Sequence, residues 1–174
     1  KMQSFSLFIL IFSFCIIKIN GGKSEEIVKF ALSKVGCGYI WGGKGQLLTE
    51  NSLKVFKKKY PSFIKIETDK KWIGNYVFDC SGLVKSAFEN VGIHVYHGAN
   101  SAWENTRWAL KGEIDKLPKD RVAILYRSGG RNMIHTGIYL GNGEVVNAKG
   151  SNDGVVKEEL GLSWTHFGIP VGIY

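Results

Sequence analysis

Cys80 lies in the stretch FDCSGLV, between Asp79 and Ser81, where an apolar pattern typical of a helix begins. Asp is a common N-cap residue, so the sequence predicts a helix that starts at Cys80 and buries one apolar face. The N-terminus of a helix carries partial positive charge and free N–H groups, which favour a thiolate and can hold an oxyanion. We therefore expect a nucleophilic cysteine with a low pKa. The alternative is a small buried apolar residue, which is what most cysteines are.

A cysteine nucleophile needs a base, and histidine is the usual one. The sequence has four histidines, His94, His97, His135 and His166. His135 lies in a predicted strand with Gly137 close behind it, which would leave space beside the imidazole. His94 and His97 fall in a predicted loop after the nucleophile helix, and His97 is a candidate to line a substrate groove. We read His166 as structural, so His135 is the candidate base.

A catalytic histidine also needs a group that orients its second ring nitrogen. His135 and Asn147 lie six residues on either side of Gly141. A hairpin centred on Gly141 would place the two side chains opposite each other on one face. A two-residue turn at Asn142 and Gly143, also a strong hairpin signal, would place them on opposite faces. The alternative for Asn147 is a polar residue that merely lies near a turn.

The surrounding sequence predicts helices first and an antiparallel meander afterwards. We expect helices over residues 25–35, with Ser24 as N-cap, and over 50–60, ended by Pro61. Residues 93–118 read as loop plus a short helix. Four strands are predicted, over residues 121–126, 133–140, 144–148 and 154–160. This order predicts an α+β fold in which a helix layer packs on a sheet.

Composition leaves the class of partner open. Of the 174 residues, 44% are apolar and 22% are charged, as in an ordinary globular protein, and the net charge is +8. A basic surface attracts nucleic acid, membranes or an anionic bacterial wall, but no run of Lys or Arg is long enough to choose. Nucleic-acid binding would rest on charge alone, and we expect none.

The N-terminus differs from the rest of the chain. Residues 5–17 are apolar, which is shorter than the roughly 20 residues of a membrane-spanning helix. We expect a signal peptide over residues 1–22 and a single catalytic domain over 23–174, in a monomer without a stable membrane span that is secreted or stays in a lumenal compartment of the secretory route. A buried or interfacial helix is the alternative. The three cysteines form no metal-binding pattern, although Cys37 and Cys80 could pair in principle.

Three motifs, YIWGG, DCSGLV and IHTGIYLGNGEVVNAKG, occur in this order and resemble those of the NlpC/P60 cell-wall cysteine peptidases. The similarity covers most of residues 24–160. It implies a papain-like α+β fold in which the nucleophile helix packs on a central antiparallel sheet. It also implies a catalytic set of Cys80 as nucleophile, His135 as base and Asn147 as the third polar residue.

The resemblance further implies an activity. Members of the family typically cut peptidoglycan stem peptides between D-γ-glutamate and a diamino acid, commonly meso-diaminopimelate, through an acyl-enzyme and without metal or cofactor. It implies that the Tyr39 hydroxyl reaches the active site. It also implies that Asp79 and Ser81 help to fix the free amine and the backbone of the substrate.

Two departures from the family pattern bear on the substrate. The family often has Arg-Thr-Ser-x-x-Gln after the nucleophile helix, whereas this chain has GANSAWEN, which keeps only Ser101 and no arginine. Residues 46–78 separate YIWGG from DCSG, where the family usually has a short link. This insertion could form a wall of the groove, or it could be a surface excursion. Trp41 and Trp103 are candidates to line the groove, whereas the other three tryptophans are expected in the core.

Other functions remain open at this point. An amidase of the CHAP type also has its cysteine before its histidine and would cut the sugar–peptide amide instead. A non-catalytic peptidoglycan binder on the same fold would fit the missing arginine. An acyltransferase of the lecithin–retinol type is disfavoured, because its histidine precedes its cysteine.

Overall fold

The structure is a computed structural model that describes residues 22–174. The helices in this range are α1 (Lys23–Ser33), α2 (Glu50–Lys59), α3 (Ile66–Asp69), α4 (Cys80–Glu89) and α5 (Ala99–Asn105). The strands are β1 (Gly38–Tyr39), β2 (Lys44–Leu47), β3 (Tyr76–Phe78), β4 (Trp108–Glu113), β5 (Ala123–Gly129), β6 (Asn132–Tyr139), β7 (Glu144–Gly150), β8 (Gly154–Glu159) and β9 (His166–Pro170). Apart from Gly22, the predicted signal peptide lies outside the described residues, and it stays a prediction.

The central sheet has six strands in the order β4-β9-β5-β6-β7-β8, and each neighbouring pair is antiparallel. The predicted meander of four strands is present as β5 to β8, so the α+β class is confirmed. Strands β4 and β9 were not predicted. Strand β4 is mostly exposed, and β9 contains a glycine and ends on Pro170, so neither shows a clear apolar alternation.

Helix α4 carries the predicted nucleophile and packs on the sheet through β6 and β7. Its apolar face is fully buried, as predicted, through Leu83, Val84, Ala87 and Phe88. Each large apolar side chain buried in this way contributes about 1.5–3 kcal/mol, so the position of α4 on the sheet is strongly fixed.

One predicted helix start is wrong, whereas the predicted glycine end of α4 is present. Helix α1 has Gly22 at its N-cap with no side-chain hydrogen bond, so Ser24 is already inside the helix. After Glu89, the last residue of α4, the Gly92 N–H donates to the Glu89 carbonyl and the Ile93 N–H to the Phe88 carbonyl, each at 3.0 Å. Gly92 has a φ of 75°, so it ends the helix in the left-handed conformation that glycine adopts in a Schellman motif.

The insertion is a folded element. Strands β2 and β3 join β1 in a small sheet of order β1-β3-β2, and Leu53 of α2 shares a buried cluster with Val77 of β3. Thr49 and Ser52 form a reciprocal capping box that starts α2, which confirms the predicted helix there. A separate buried cluster holds the element together, consisting of Ile40, Leu48, Leu53, Ile64 and Val77.

No helix within residues 22–174 combines the length and the apolar character required to cross a bilayer.

Candidate active site

The first turn of α4 packs directly against the YIWGG loop. Asp79 is the N-cap of α4, as predicted, and accepts a hydrogen bond from the Gly82 N–H at 2.6 Å. The Asp79 N–H donates to the Gly43 carbonyl at 3.0 Å. A Cβ at Gly82 would lie 1.9 Å from that carbonyl oxygen, so only glycine permits this contact. The YIWGG and DCSGLV motifs therefore meet in one close backbone contact beside Cys80.

The Asp79 carboxylate is surrounded by donors. Besides Gly82, the Ser81 hydroxyl donates to it at 2.8 Å, the Gly42 N–H at 2.9 Å and His97 Nε2 at 3.0 and 3.2 Å to its two oxygens. Burial alone would raise the pKa of Asp79, but the hydrogen bonds from His97, Gly82 and Ser81 hold it below its ordinary value. Asp79 is therefore ionised, and its neighbours fill its hydrogen-bonding capacity.

Cys80 is the first residue of α4 and only 8% exposed. Burial raises the pKa of its thiol to about 12, and the neighbouring charge of Asp79 adds to the rise. The nearby backbone N–H groups of Thr136, Ser81 and Cys80 itself act in the opposite direction but do not offset burial. The expected low pKa is therefore wrong for the free protein, which holds Cys80 as the neutral thiol at pH 7.

His135 and Asn147 are in direct contact, with His135 Nε2 3.0 Å from Asn147 Oδ1. The amide oxygen can only accept, so Nε2 carries the proton and donates it, which leaves Nδ1 of the neutral ring as the basic nitrogen. His135 precedes Thr136 in β6, and the Thr136 N–H lies near the Cys80 thiol. The structure therefore brings the predicted nucleophile next to the strand that carries the predicted base.

The register of the hairpin differs from both predicted turns. Ile138 pairs with Val146, and the Leu140 N–H donates to the Glu144 carbonyl, so the hairpin is centred on residue 142. In this register position 147 lies opposite Gly137, and His135 is its diagonal neighbour on the same face. The predicted contact is therefore present, but the predicted direct opposition is wrong by one step of register. A Cβ at Gly137 would lie 2.9 Å from that of Asn147, so glycine provides the space.

A second layer of side chains supports this pair. Asn147 Nδ2 donates to Glu158 Oε1 at 3.0 Å, which fixes the amide with its oxygen toward His135. The His135 ring stacks on Trp164, with centroids 5.6 Å apart, and the Arg127 guanidinium lies 4.5 Å from the Trp164 ring. Burial lowers the pKa of His135, the hydrogen bond to Asn147 raises it, and the net shift is downward. The imidazole is therefore neutral at pH 7.

Tyr39 lies in β1, whose partner strand β3 leads directly into Asp79. Burial raises the pKa of the Tyr39 hydroxyl, and the proximity of Cys80 and Asp79 raises it further. The hydroxyl is therefore a protonated donor close to the candidate nucleophile. This position agrees with the expectation that Tyr39 reaches the site.

An open groove of about 510 Å³ leads to Cys80. Its walls come from the YIWGG loop, the C-terminal end of α2, the start of α4, α5 and the first residues of β6. Asp79 and Ser81 line it beside Cys80, whereas His135 follows the lining residues Met133 and Ile134 along β6. Of the six predicted site residues, Asp79, Cys80 and Ser81 line the groove, whereas Tyr39, His135 and Asn147 do not.

Sequence reasoning missed several residues of this site. His97 was a candidate to line the groove, and it does, but its contact with Asp79 was not predicted. Tyr60 of the insertion lines the groove, and so does Trp41. Trp103 was also a candidate; it packs against Trp108 and the buried Tyr126 instead. Through Tyr60 the insertion forms part of the groove wall, which is one of the two alternatives that the sequence left open.

Within the described part of the chain, the cysteines form no disulfide bond and the acidic groups form no metal site. Cys37 and Cys80 are both free thiols, so the possible pairing between them is absent. Within residues 22–174, no group of three or more His, Cys, Asp or Glu side chains is arranged to hold a metal ion.

The chain is similar to known proteins over the region that contains the three motifs. The NlpC/P60 family profile matches residues 36–166. The probable endopeptidase p60 of Listeria innocua is 34% identical over 104 residues, covering 58% of this chain and 21% of the relative. The peptidoglycan endopeptidase RipB of Mycobacterium tuberculosis is 31% identical over 127 residues, covering 73% of this chain and 44% of the relative. The chain thus spans about a fifth of the first relative and less than half of the second.

Among solved structures, the crystal structure of the NlpC/p60 domain of the peptidoglycan hydrolase SagA superimposes with a TM-score of 0.56. The sequence identity is 18%, and the match covers 84% of this chain and 97% of that chain. This likeness confirms the predicted NlpC-type fold.

Proposed function

The chain belongs to the NlpC/P60 family, and from this premise we propose that it is a cysteine endopeptidase that hydrolyses bacterial peptidoglycan. The observation that carries the proposal is the contact of 3.0 Å between His135 and Asn147 in β6 and β7, the strands on which the Cys80 helix packs. The bond we assign is that between D-γ-glutamate and the diamino acid, commonly meso-diaminopimelate, of the stem peptide. Metal and organic cofactors have no part in this reaction.

Acylation begins with both partners neutral. His135 Nδ1 takes the proton of the Cys80 thiol as the sulfur attacks the γ-glutamyl carbonyl carbon. The N–H of Cys80 and the hydroxyl of Tyr39 donate to the oxyanion that forms. His135 then gives its proton to the departing amine of the diamino acid, the C–N bond breaks, and a thioester remains on Cys80.

Deacylation uses the same groups. His135 removes a proton from a water molecule, whose oxygen attacks the thioester carbonyl. The C–S bond breaks, the sulfur takes the proton back from His135, and the product leaves as a carboxylic acid. Asn147 holds the imidazole in one tautomer and orientation through both steps.

The pKa directions are consistent with this sequence of events. A buried thiol with a raised pKa and a buried imidazole with a lowered pKa coexist uncharged, so proton transfer accompanies attack. The thiolate would then form only when a bound substrate places its carbonyl beside the sulfur and the oxyanion donors.

Asp79 and Ser81 act in this proposal by shaping the turn that presents Cys80. The Ser81 hydroxyl donates to the Asp79 carboxylate, which also accepts from the Gly82 N–H. A contact between Asp79 and the free amine of a substrate, as the resemblance implies, would have to displace His97 or share its place.

We also propose that the protein acts outside the cell that makes it, as a monomer. The apolar N-terminal segment supports export, and the net charge of +8 suits an anionic wall polymer.

The test is mass spectrometry of purified peptidoglycan digested by residues 23–174, with Cys80→Ala and His135→Ala alongside. We expect fragments that begin at the diamino acid from the wild type, and at least about a thousandfold less from either variant. Stem peptides that begin at L-Ala would instead identify an amidase. Release of nothing, together with retention on the wall, would identify a binder on the same fold.

A further inference from the structure

Two exposed aromatic rings stack beside the Cys80 groove. Trp41 and Phe63 have ring centroids 4.1 Å apart and an angle of 8° between their planes. Although each covers one face of the other, Trp41 is still 38% exposed and Phe63 54%. The pair therefore presents one outer face of each ring to its surroundings, and the stack is already assembled in the free protein.

This surface belongs to a second pocket that continues from the catalytic groove. Trp41 lines both the groove and a neighbouring pocket of about 380 Å³. Tyr39 and Phe63 also line this second pocket. The rest of its lining is largely polar, including Lys65, Thr68, Ser151, Asn152 and Asp153. An aromatic platform bordered by hydrogen-bonding side chains suits a ligand with apolar faces and polar edges.

The two walls of the second pocket are tied together. One wall comes from the insertion, and the other is the turn between β7 and β8. Trp72 Nε1 donates to the Ser151 carbonyl at 2.8 Å, and Lys71 Nζ donates to the Asn152 carbonyl at 2.8 Å. Buried Ile64 anchors the segment that carries Phe63. The pocket is thus preorganised, which lowers the entropic cost of binding.

The hydrogen bonds of Asp79 indicate whether the site selects a stem peptide with a free amine. A stem peptide freed from its glycan has an ammonium group that needs an acceptor, and Asp79 is the nearest carboxylate to Cys80 in the chain. Its two oxygens already accept from Ser81, Gly82, Gly42 and His97, and it is 5% exposed. The site therefore has no unoccupied acceptor at Asp79 that would select a free amine.

We propose that the second pocket binds a pyranose ring of the glycan, so that the substrate is a stem peptide still attached to its sugar. This inference rests on the proposed function and assigns the substrate form for that site. The C–H face of the sugar lies on the outer face of Phe63, whose other face is covered by Trp41, and its hydroxyl and N-acetyl groups bond to the polar border. The sugar and the scissile bond are separated by about three residues, roughly 10 Å when extended, which suits two adjoining pockets.

The experiment compares two matched soluble substrates, a disaccharide-linked stem peptide and the same peptide with a free L-Ala amine. Cleavage by the wild-type domain is followed by liquid chromatography and mass spectrometry. We expect a kcat/KM about tenfold higher for the glycan-linked substrate, expressed mainly in KM, since a stacked sugar ring is a modest binding contribution.

The decisive variant is Phe63→Ala, because Phe63 lines the second pocket and not the Cys80 groove. We expect it to abolish the preference by weakening only the glycan-linked substrate. Trp41→Ala should also weaken the glycan-linked substrate more, with some loss on both substrates because Trp41 lines the Cys80 groove as well, and Trp41→Phe should restore part of the preference. Tyr76→Ala is the matched control, since Tyr76 is a 57% exposed aromatic residue of β3 that faces a different pocket.

Each other result contradicts a defined statement. Equal cleavage of both substrates by the wild type, or faster cleavage of the free peptide, would overturn the sugar site. An equal loss on both substrates in Phe63→Ala would assign that residue a structural role and overturn it as well. If neither substrate is cleaved, the proposed function fails, and tryptophan-fluorescence titration of Cys80→Ala decides about the pocket. Tighter binding of the glycan-linked form would retain the sugar site, and equal or no binding would overturn it.

Discussion

The molecule contains two hydrophobic cores of very different size, and Cys80 lies where they adjoin. The larger core joins α1, α4 and the six-stranded sheet. The smaller core has five buried residues and holds the insertion. It includes Ile40, which follows β1 in the YIWGG motif, and Val77 of β3, which leads into Asp79, so the insertion packs on the same backbone that positions the nucleophile.

The two regions differ in what they leave exposed. Around Cys80, backbone contacts are as close as glycine allows, and the Asp79 carboxylate is fully bonded. In the insertion, Phe63 and Val55 are more than half exposed. The comparison indicates a division of tasks, in which the large core fixes the geometry of the reaction and the insertion supplies surface for choosing a substrate.

The largest expected effect comes from Gly82→Ala, in the close backbone contact beside Cys80. The new Cβ would meet the Gly43 carbonyl oxygen at 1.9 Å, and a backbone atom cannot move aside as a side chain can. We expect α4 to shift, with a loss of about 3 kcal/mol or more in the free energy of unfolding and loss of cleavage activity. Denaturant unfolding measures the first and peptidoglycan digestion the second.

The matched control is Gly161→Ala, where a Cβ meets no atom within 4 Å. It should change the free energy of unfolding by less than about 0.5 kcal/mol. A Gly82→Ala protein as stable and active as this control would mean that the close packing beside Cys80 is not required.

The same contrast explains what could be predicted from the sequence. Asp79 before an apolar helical pattern was sufficient to predict α4, because a cap and its helix are local features. The contact between His135 and Asn147 was also predicted, although the register was not, since both turns were compatible with the local glycines. The pKa of Cys80 could not be predicted, because burial by distant segments outweighs the effect of the helix terminus.

The insertion was less predictable than the catalytic core. Helix α2 followed from its periodicity and from Pro61, but the stack of Trp41 on Phe63 joins the YIWGG motif to a part of the insertion that has no recognisable motif. Strands β4 and β9 were missed for a related reason, because their pairing depends on the completed sheet and not on local pattern.

A smaller effect is expected when the minor core is weakened. Leu53 is 3% exposed in that core, and Leu53→Ala should cost about 2–3 kcal/mol by leaving a cavity. If the two cores are separately cooperative, amide hydrogen exchange should become faster over residues 50–64 and stay unchanged in α4. Val55→Ala, on the same helix but 65% exposed, should leave exchange unchanged in both regions. Faster exchange in α4 as well would show that the molecule unfolds as one unit and would remove the distinction between the cores.

The smallest expected effect comes from Glu158→Gln, in the sheet that belongs to the large core. Glu158 does not contact His135, but it accepts from the Asn147 amide at 3.0 Å and so sets which end of that amide faces the imidazole. Burial lowers the pKa of His135, and the negative charge of Glu158 partly raises it again. In Glu158→Gln the pKa should therefore fall further. Activity requires the neutral imidazole and is lost as pH falls through this pKa, so the acidic limb of the kcat/KM profile should move to lower pH.

At neutral pH the same variant should be slower by about tenfold, mostly in kcat, because the amide of Asn147 is no longer held in one orientation. Glu144→Gln is the matched control, since Glu144 joins the same two strands through Lys157 at 2.6 Å without contacting Asn147. It should leave both the acidic limb and the rate unchanged. A Glu158→Gln enzyme whose profile coincides with that of Glu144→Gln would mean that Asn147 is oriented by the fold alone. The positioning function would then end at Asn147, and Glu158 would be an ordinary member of a surface ion-pair group with Lys149.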